Sequence, residues 1–260
     1  MISFPELRQL RVGCVPYLNA RPLIEDYDGP VRFEHPSLLA KCLAAGELDA
    51  ALTPIFEVLG PRRYVLVDGV GIASDGPVYS VILAYRGDLA DVRTIALDPA
   101  SLTSIHLVQV LLREGHGLNP QCVASSGHGS EAEARLLIGN QAIDFRAALP
   151  AGYRILDLGE EWQRQTGLPF VYALWALRQG LPARIEIAGE LRSLQRTGRR
   201  RIPDIARCHP LYGAAFCERY FTQHLRFHLG SRERQGIEQF RVLLARHGFL
   251  SEAGEPLIYV

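Results

Sequence analysis

The chain has 260 residues, of which 48% are hydrophobic and 22% charged, and its 28 basic residues balance 28 acidic ones. This composition is typical of a globular protein with one large domain or two lobes, and the zero net charge gives no general attraction to nucleic acid or to an anionic membrane. We see no secretory leader and no run of about 20 apolar residues, so we expect a cytoplasmic protein that does not span a membrane.

Neither the cysteines nor the basic residues indicate a metal or phosphate site. The five cysteines are odd in number and widely spread, and none forms a Cys-x-x-Cys pair. The run Arg196 to Arg201 has no aromatic residues between its arginines, so we interpret it as a solvated surface rather than a phosphate-binding patch. A P-loop and a dinucleotide fingerprint are both missing. We therefore expect no metal and no cofactor.

The first part of the chain alternates short apolar strands with helical segments. The spacing of apolar residues predicts a helix over 36–48, opened by Pro36, and a short helix near Pro22. Strands are predicted over 11–15, 31–35 and 49–54. Strands that alternate with helices favour a mainly parallel sheet.

Two longer β-rich stretches, 64–74 and 78–87, are long enough to run from one lobe into another, and 170–178 is predicted to return between the lobes. A second series lies between them, with strands over 94–98, 121–125 and 136–139 and helices over 102–114 and 130–136. After Pro182 the pattern is helical nearly to the end, including 213–229 and 232–250.

The predicted fold class is therefore α/β, a two-lobed, periplasmic-binding-protein-like type II fold with a ligand cleft between the lobes. We expect residues 1–85 to form the first part of lobe 1, residues 86–175 to form lobe 2, and residues 176–260 to return to lobe 1 as mostly helical structure. Ligands in such folds bind where strand ends and helix starts converge. Four loops are predicted to face the cleft: 16–22, 53–56, 74–80 and 98–104.

The loop 98–104 carries the clearest chemical signal. Ser101, Thr103 and Ser104 place three hydroxyls beside the unpaired N–H groups and the positive dipole end of a helix, which favours a site for a carboxylate or phosphate. Helix capping by Asp98 or Ser101 is the alternative interpretation. Capping needs one such residue rather than three, so we favour the anion site.

The other polar residues of these loops leave their roles open. Asn19 is equally consistent with turn chemistry, Tyr17 with a packed aromatic ring and Ser80 with local solvation of a strand. No G-x-S-x-G elbow is present, and His106 is more consistent with a helix face than with a general base. From the residues alone we predict a cleft-containing α/β protein that binds a small anion.

Six segments in order carry a resemblance to a known family. The segments VPYLNARPL, LAAGELDAALTP, GIASDGPVYSV, ALDPASLTS, LLIGNQAI and DLGEEWQRQTGLPFVYALW, between about residues 11 and 178, resemble the chorismate dehydratases of the futalosine route to menaquinone. The sibling enzyme that makes 1,4-dihydroxy-6-naphthoate carries a Pro-Asn-Asp-Thr type motif in its first loop, which is absent here. At Asn140 this chain departs from the family, which usually has an acid there.

The resemblance implies a cofactor-free lyase that dehydrates chorismate to 3-[(1-carboxyvinyl)oxy]benzoate, with the substrate's own enolpyruvyl carboxylate taking the proton. It implies that Asn19 orients the substrate and assists departure of the hydroxyl, while Tyr17 and Ser80 line the pocket. Two alternatives stay open at this point: a non-catalytic cytoplasmic binding protein for a small carboxylate, and a related enzyme of the same pathway.

Overall fold

The computed structural model describes residues 4–61, 64–98, 101–124, 132–251 and 256–260. Within these residues the strands form two sheets, one of seven strands and one of five. The first sheet contains β1 (Val12–Cys14), β2 (Val31–Phe33), β3 (Ala50–Pro54), β4 (Val65–Ser74), β10 (Phe170–Leu177), β11 (Arg226–His228) and β12 (Ile258–Tyr259). The second sheet contains β5 (Val81–Arg86), β6 (Thr94–Leu97), β7 (Gln121–Ala124), β8 (Ala134–Ile138) and β9 (Tyr153–Asp157).

Helices connect these strands and complete the C-terminal part of the chain. A 3-10 turn, Leu18–Ala20, precedes the first α-helix, and a π-helical turn, Tyr220–His224, follows the ninth. No helix of the described residues is both long and apolar enough to cross a membrane. The α-helices are α1 (Arg21–Ile24), α2 (Pro36–Ala44), α3 (Ile55–Val58), α4 (Leu102–His116), α5 (Gly139–Ala148), α6 (Leu158–Thr166), α7 (Arg184–Arg200), α8 (Ile202–Arg207), α9 (Ala214–Arg219) and α10 (Ser231–Arg246).

The two sheets repeat one strand arrangement. The first runs β2-β1-β3-β10-β4-β11, with β12 also paired with β4, and the second runs β7-β6-β8-β5-β9. In each, the first three strands pair in parallel, and the fourth in this order is antiparallel to both neighbours. The carboxyl ends of β1 and β3 therefore lie side by side at one edge, as do those of β6 and β8, and these edges are where ligands bind in open α/β sheets.

Close packing behind β1 fixes the position of the loop that follows it. Every residue of β1 and β3 is buried. A Cβ atom at Gly13 would lie 2.6 Å from Leu48 Cδ1 and 2.8 Å from Leu39 Cδ2. Only glycine lets α2, which carries Leu39, approach β1 this closely.

Two segments join the sheets, 75–80 and 158–169, and one carboxylate holds both. Asp157 accepts hydrogen bonds from the backbone N–H groups of Val78 and Tyr79 in the first segment. It also caps α6 in the second by accepting from the N–H groups of Gly159 and Glu160. The side chain is almost fully buried, so the geometry of both connections depends on it.

The structure confirms the two-lobed α/β fold and most of the predicted strands, and it corrects four expectations. The predicted helix over 130–136 is wrong from Ala134 onward, where β8 begins, and its residues 130 and 131 lie outside the described residues. Residues 226–228 form a strand rather than helix, and β9 was not predicted. The stretch 170–178 lies within the first sheet instead of crossing between the two. The lobe boundaries at 85 and 175 stay predictions.

Candidate functional site

A cavity of about 610 Å³, including the part open to solvent, lies between the two sheets. The ends of β1 and β3 in the first sheet and of β6 and β8 in the second, with the loops that follow them, supply its walls. Tyr17 and Asn19 follow β1, Pro54 ends β3, Ser101 follows β6 and Gly139 follows β8. Equivalent positions of the repeated strand arrangement therefore face each other across the cavity.

Apolar side chains from the strands form the rest of the cavity lining. Leu52, Ile72 and Val81 contribute from β3, β4 and β5, and Tyr172 from β10. The Tyr172 hydroxyl lies 3.1 Å from Ser74 Oγ, and burial raises the pKa of Tyr172 well above its usual value. The phenol is therefore neutral and adds a polar atom without adding charge.

Ser101 stands at the start of α4 with an unused hydroxyl. It is the residue before the first turn, but its side chain makes no capping hydrogen bond. Its Oγ atom is buried and has no hydrogen-bond partner. The first N–H groups of α4 have no partner within the helix, and the helix dipole adds partial positive charge there. This geometry argues against capping by Ser101 and suits an anionic group in the cavity.

Thr103 and Ser104 also line the cavity, but the Thr103 hydroxyl is already engaged. It donates to the carbonyl of Tyr172 at 3.3 Å and accepts from the N–H of Phe56 at the same distance. These bonds tie α4 to β10 and α3. Of the three hydroxyls singled out in the sequence, the Thr103 hydroxyl therefore links the structural elements that form the cavity wall.

The loop after β1 presents a second unused oxygen. Asn19 lies in the 3-10 turn Leu18–Ala20, and its Oδ1 atom is buried without a hydrogen-bond partner. Tyr17 precedes the turn, and its hydroxyl lies 3.0 Å from Nδ1 of His35. Burial raises the pKa of Tyr17 to about 12, with a smaller contribution from the negative charge of Asp98. Tyr17 is thus a neutral hydrogen-bonding group at physiological pH.

Ser80 and Arg21 have their partners outside the cavity. The hydroxyl of Tyr220 donates to Ser80 Oγ at 2.6 Å, and Ser80 is buried behind the cavity wall rather than among the lining residues. Arg21 forms an ion pair with Glu25 on the same helical face. Neither side chain reaches the cavity.

His106, the one histidine near the predicted anion site, packs between aromatic rings. It stacks on Phe56 with ring centroids 3.5 Å apart, and Phe249 meets it edge-on. Burial lowers its pKa. The ring is therefore a neutral packing element between α3 and α4.

Sequence reasoning predicted a strand over 136–139 but did not place the junction of β8 and α5 among the loops that face the cavity. Ile138 and Gly139 line the cavity there, and Gly139 has a φ of +56°. A Cβ atom at Gly139 would come 3.0 Å from Cγ of Tyr17. The signal was present in the sequence as a glycine directly after the apolar run Leu136 to Ile138.

The polar side chains among the described residues that line the cavity are neutral donors and acceptors. The described residues that line the cavity include no Asp, Glu, His, Lys or Arg, and no three potential metal ligands cluster anywhere in the described parts of the chain. Helix N–H groups, hydroxyls and an amide give this site donors that suit a small anion. The site can orient a ligand and stabilise its charge, but its described lining side chains include no carboxylate or imidazole that could act as a base.

Comparisons with known proteins agree with this fold. A chorismate dehydratase of Thermus thermophilus is 29% identical, over 90% of this chain and 94% of that protein. A protein of Archaeoglobus fulgidus superposes with a TM-score of 0.71 at 16% identity, covering 93% of this chain and 98% of that one. The periplasmic aliphatic sulphonate binding protein SsuA of Escherichia coli gives 0.59 at 18% identity, covering 94% and 89%.

The structural similarity to SsuA shows a periplasmic-binding-protein-like fold and nothing about the ligand. The assignment to a family rests on the sequence instead. A family model described as menaquinone biosynthesis matches residues 10–246, which is most of the chain. The chain therefore belongs to this menaquinone biosynthesis family.

Proposed function

We propose that the protein is a chorismate dehydratase, a lyase that removes water from chorismate without a cofactor. One observation carries the proposal: Asn19 Oδ1 and Ser101 Oγ, two buried oxygens without partners, belong to loops of different sheets that line the same cavity. A buried polar atom without a partner calls for an explanation, and a ligand that supplies the partner is one. The resemblance to the Thermus thermophilus enzyme supports chorismate as that ligand.

Chorismate carries two carboxylates, which suits a site with polar groups on two sides. We assign one carboxylate to the first turn of α4, where Ser101 and Ser104 add hydroxyl donors to the unpaired N–H groups. Tyr17 and Asn19 would contact the substrate from the opposite wall. The apolar strand residues would cover the ring faces and exclude water.

The reaction removes the proton at ring carbon 3 and the hydroxyl at ring carbon 4, and the ring becomes aromatic. The two sum to one water once the base passes its proton to the departing hydroxide. Aromatisation provides the thermodynamic drive, so the protein has to supply orientation and stabilisation of charge. We propose that the Asn19 amide N–H₂ donates to the departing hydroxyl. The lining residues offer no carboxylate or imidazole base, which supports proton transfer to the enolpyruvyl carboxylate of the substrate itself.

A place in the futalosine route and a cytoplasmic location belong to the same proposal. The first follows from the family resemblance, and the second is the expectation drawn from the sequence. The product would then be 3-[(1-carboxyvinyl)oxy]benzoate. The proposed route and product are more specific than membership in the menaquinone biosynthesis family. They are wrong if chorismate is not the substrate.

Incubation of the purified protein with chorismate tests the proposal. We expect chorismate to disappear and an aromatic product to accumulate at the same rate, with and without a metal chelator, as followed by absorbance and mass spectrometry. Chorismate that stays unchanged for hours at high protein concentration would refute the proposal. Saturable binding of unreacted chorismate under those conditions would identify a binding protein instead, and conversion only of other futalosine-route substrates would identify a related enzyme.

A further inference from the structure

The turn that carries Asn19 is capped from the other side of the cleft. The N–H groups at the start of a helical turn have no partner inside it, and Tyr17, which precedes the turn, contributes no side-chain cap. The N–H of Leu18, the first residue of the turn, donates instead to Oδ1 of Asn140 at 3.1 Å. Leu18 follows β1 of the first sheet, whereas Asn140 lies in α5, which follows β8 of the second.

The start of α5 also contacts Tyr17, the residue that precedes this turn. Gly139, the neighbour of Asn140, packs against the ring of Tyr17 so closely that a Cβ atom would lie 3.0 to 3.3 Å from three ring atoms. The backbone N–H of Gly139 donates to the carbonyl of Ser80 at 2.8 Å. Residues 139 and 140 are thus fixed to the second sheet and contact the 17–19 loop of the first.

We propose that Asn140 is a positioning residue, whose amide oxygen caps the Leu18–Ala20 turn across the cleft and so holds Asn19 in its working orientation. As a consequence, the Leu18–Ala20 turn keeps its cap only when the two sheets lie as close together as they do in this structure. Opening of the cleft would break the cap and release the Asn19 side chain. This inference rests on the proposed function, since the work of Asn19 is measured as dehydration of chorismate.

Two substitutions at Asn140 separate the hydrogen bond from the size of the side chain. Asn140→Asp keeps an acceptor oxygen at the same position, and Asn140→Leu has a similar size without one. We expect Asn140→Leu to lower kcat for chorismate at least about tenfold, as expected from losing one hydrogen bond of typical strength. We expect Asn140→Asp to keep kcat within about threefold of the original protein.

Tyr212→Phe is the matched control. The Tyr212 hydroxyl donates to Asp144 Oδ1 at 2.9 Å and also contacts the backbone carbonyl of Asn140 at 3.5 Å. This variant therefore removes contacts to α5 but leaves the N–H of Leu18 capped by the Asn140 side chain. We expect its kcat within about threefold of the original protein, because only contacts outside the turn are lost. Normal kcat in Asn140→Leu, or equal losses in all three variants, would overturn the proposal.

A double substitution shows whether Asn140 acts through Asn19. If it does, adding Asn140→Leu to Asn19→Ala lowers kcat by no more than about twofold further, since the two changes remove one shared function. If the double substitution lowers kcat by the product of the two single losses, Asn140 acts independently of Asn19. That result would contradict the proposal.

Hydrogen exchange of the Leu18 amide tests the cap without any substrate. We expect Asn140→Leu to exchange this amide at least about tenfold faster than the original protein or Asn140→Asp. Unchanged exchange would refute the cap even if chorismate is converted. Faster exchange in a protein that leaves chorismate unchanged would uphold the cap and refute the proposed function.

Discussion

The carboxylate of Asp157 holds Tyr79 in a left-handed backbone conformation. Its Oδ2 atom accepts from the Tyr79 N–H at 2.8 Å, and the φ angle of Tyr79 is +69°, a region that residues with a Cβ atom rarely adopt. Arg146 donates to the same oxygen at 3.0 Å and places its guanidinium 4.5 Å from the centre of the Tyr79 ring. Tyr79 belongs to one connection between the sheets and Asp157 begins the other, so this cluster sets how the two sheets meet.

Replacing Asp157 should therefore destabilise the whole protein. We expect Asp157→Ala to lower the free energy of unfolding by about 3–5 kcal/mol, because Arg146 and four backbone N–H groups lose their acceptor in a buried position. Urea unfolding followed by circular dichroism measures this. Glu238→Gln, which breaks an exposed ion pair with Arg241, should cost less than about 1 kcal/mol. Equal effects of the two changes would contradict the role assigned to Asp157.

Asn19 should be needed for turnover but not for folding. We expect Asn19→Ala to lower kcat for chorismate at least about 100-fold, in line with the loss of one preorganised polar contact in the transition state. The thermal midpoint should hardly change, because the Asn19 Oδ1 atom has no partner to lose. Asn119→Ala is a matched control, since Asn119 bonds the exposed Arg113 away from the cavity. Near-normal turnover in Asn19→Ala would reduce Asn19 to a turn residue.

Loss of the hydroxyl should affect substrate binding at Ser101 and protein stability at Thr103. We expect Ser101→Ala to raise KM for chorismate about tenfold without loss of stability, because its Oγ atom has no partner among the described residues. Thr103→Val should lower stability by about 1–3 kcal/mol, since the Phe56 N–H is left without its acceptor. Paired kinetics and urea unfolding separate the two. A destabilised Ser101→Ala would show that this hydroxyl holds the helix rather than a ligand.

Acid should weaken the protein partly through Asp49. Hydrogen bonds from Arg11, together with those from Arg178, hold the pKa of the nearly buried Asp49 well below its ordinary value of 3.8. A depressed folded-state pKa contributes stability above the unfolded pKa, and that stability is lost as the pH falls below it. The stability difference between the original protein and Asp49→Asn should therefore shrink from pH 7 to pH 3 in urea unfolding. A difference that is constant with pH would show that the Asp49 charge is not responsible.

The limits of sequence reasoning are clearest at β8. Ala, Glu, Arg and Leu are strong helix formers, so the residues around Ala134 favour a helix by local preference. In the structure β8 lies between β5 and β6, and pairing on both sides overrides that preference. The pairing partners lie far away in the chain, so the local pattern could not reveal them.

The site was predicted where local chemistry was sufficient. Ser101 stood out because it begins a helix after an apolar strand, whereas the residues alone left Asn19 open and the family resemblance singled it out. Both line the cavity. Ser80 shows where local chemistry was not sufficient. Val78 and Val81 line the cavity, whereas the hydroxyl of Ser80, which lies between them in the sequence, bonds with Tyr220. That partner lies 140 residues further along the chain. Which side of a strand faces a cavity depends on such distant packing.

The strand arrangement also has a consequence for how the chain folds during synthesis. Strands β5 to β9 are consecutive, so the second sheet is complete once residue 157 has been made. The first sheet has a gap between β3 and β4 until β10 arrives. Since chains begin to fold while they are being made, we expect the second sheet to assemble first. Tyr172 and Ala173 of β10 line the cavity, so the strand that closes the first sheet is also the one that completes the binding site.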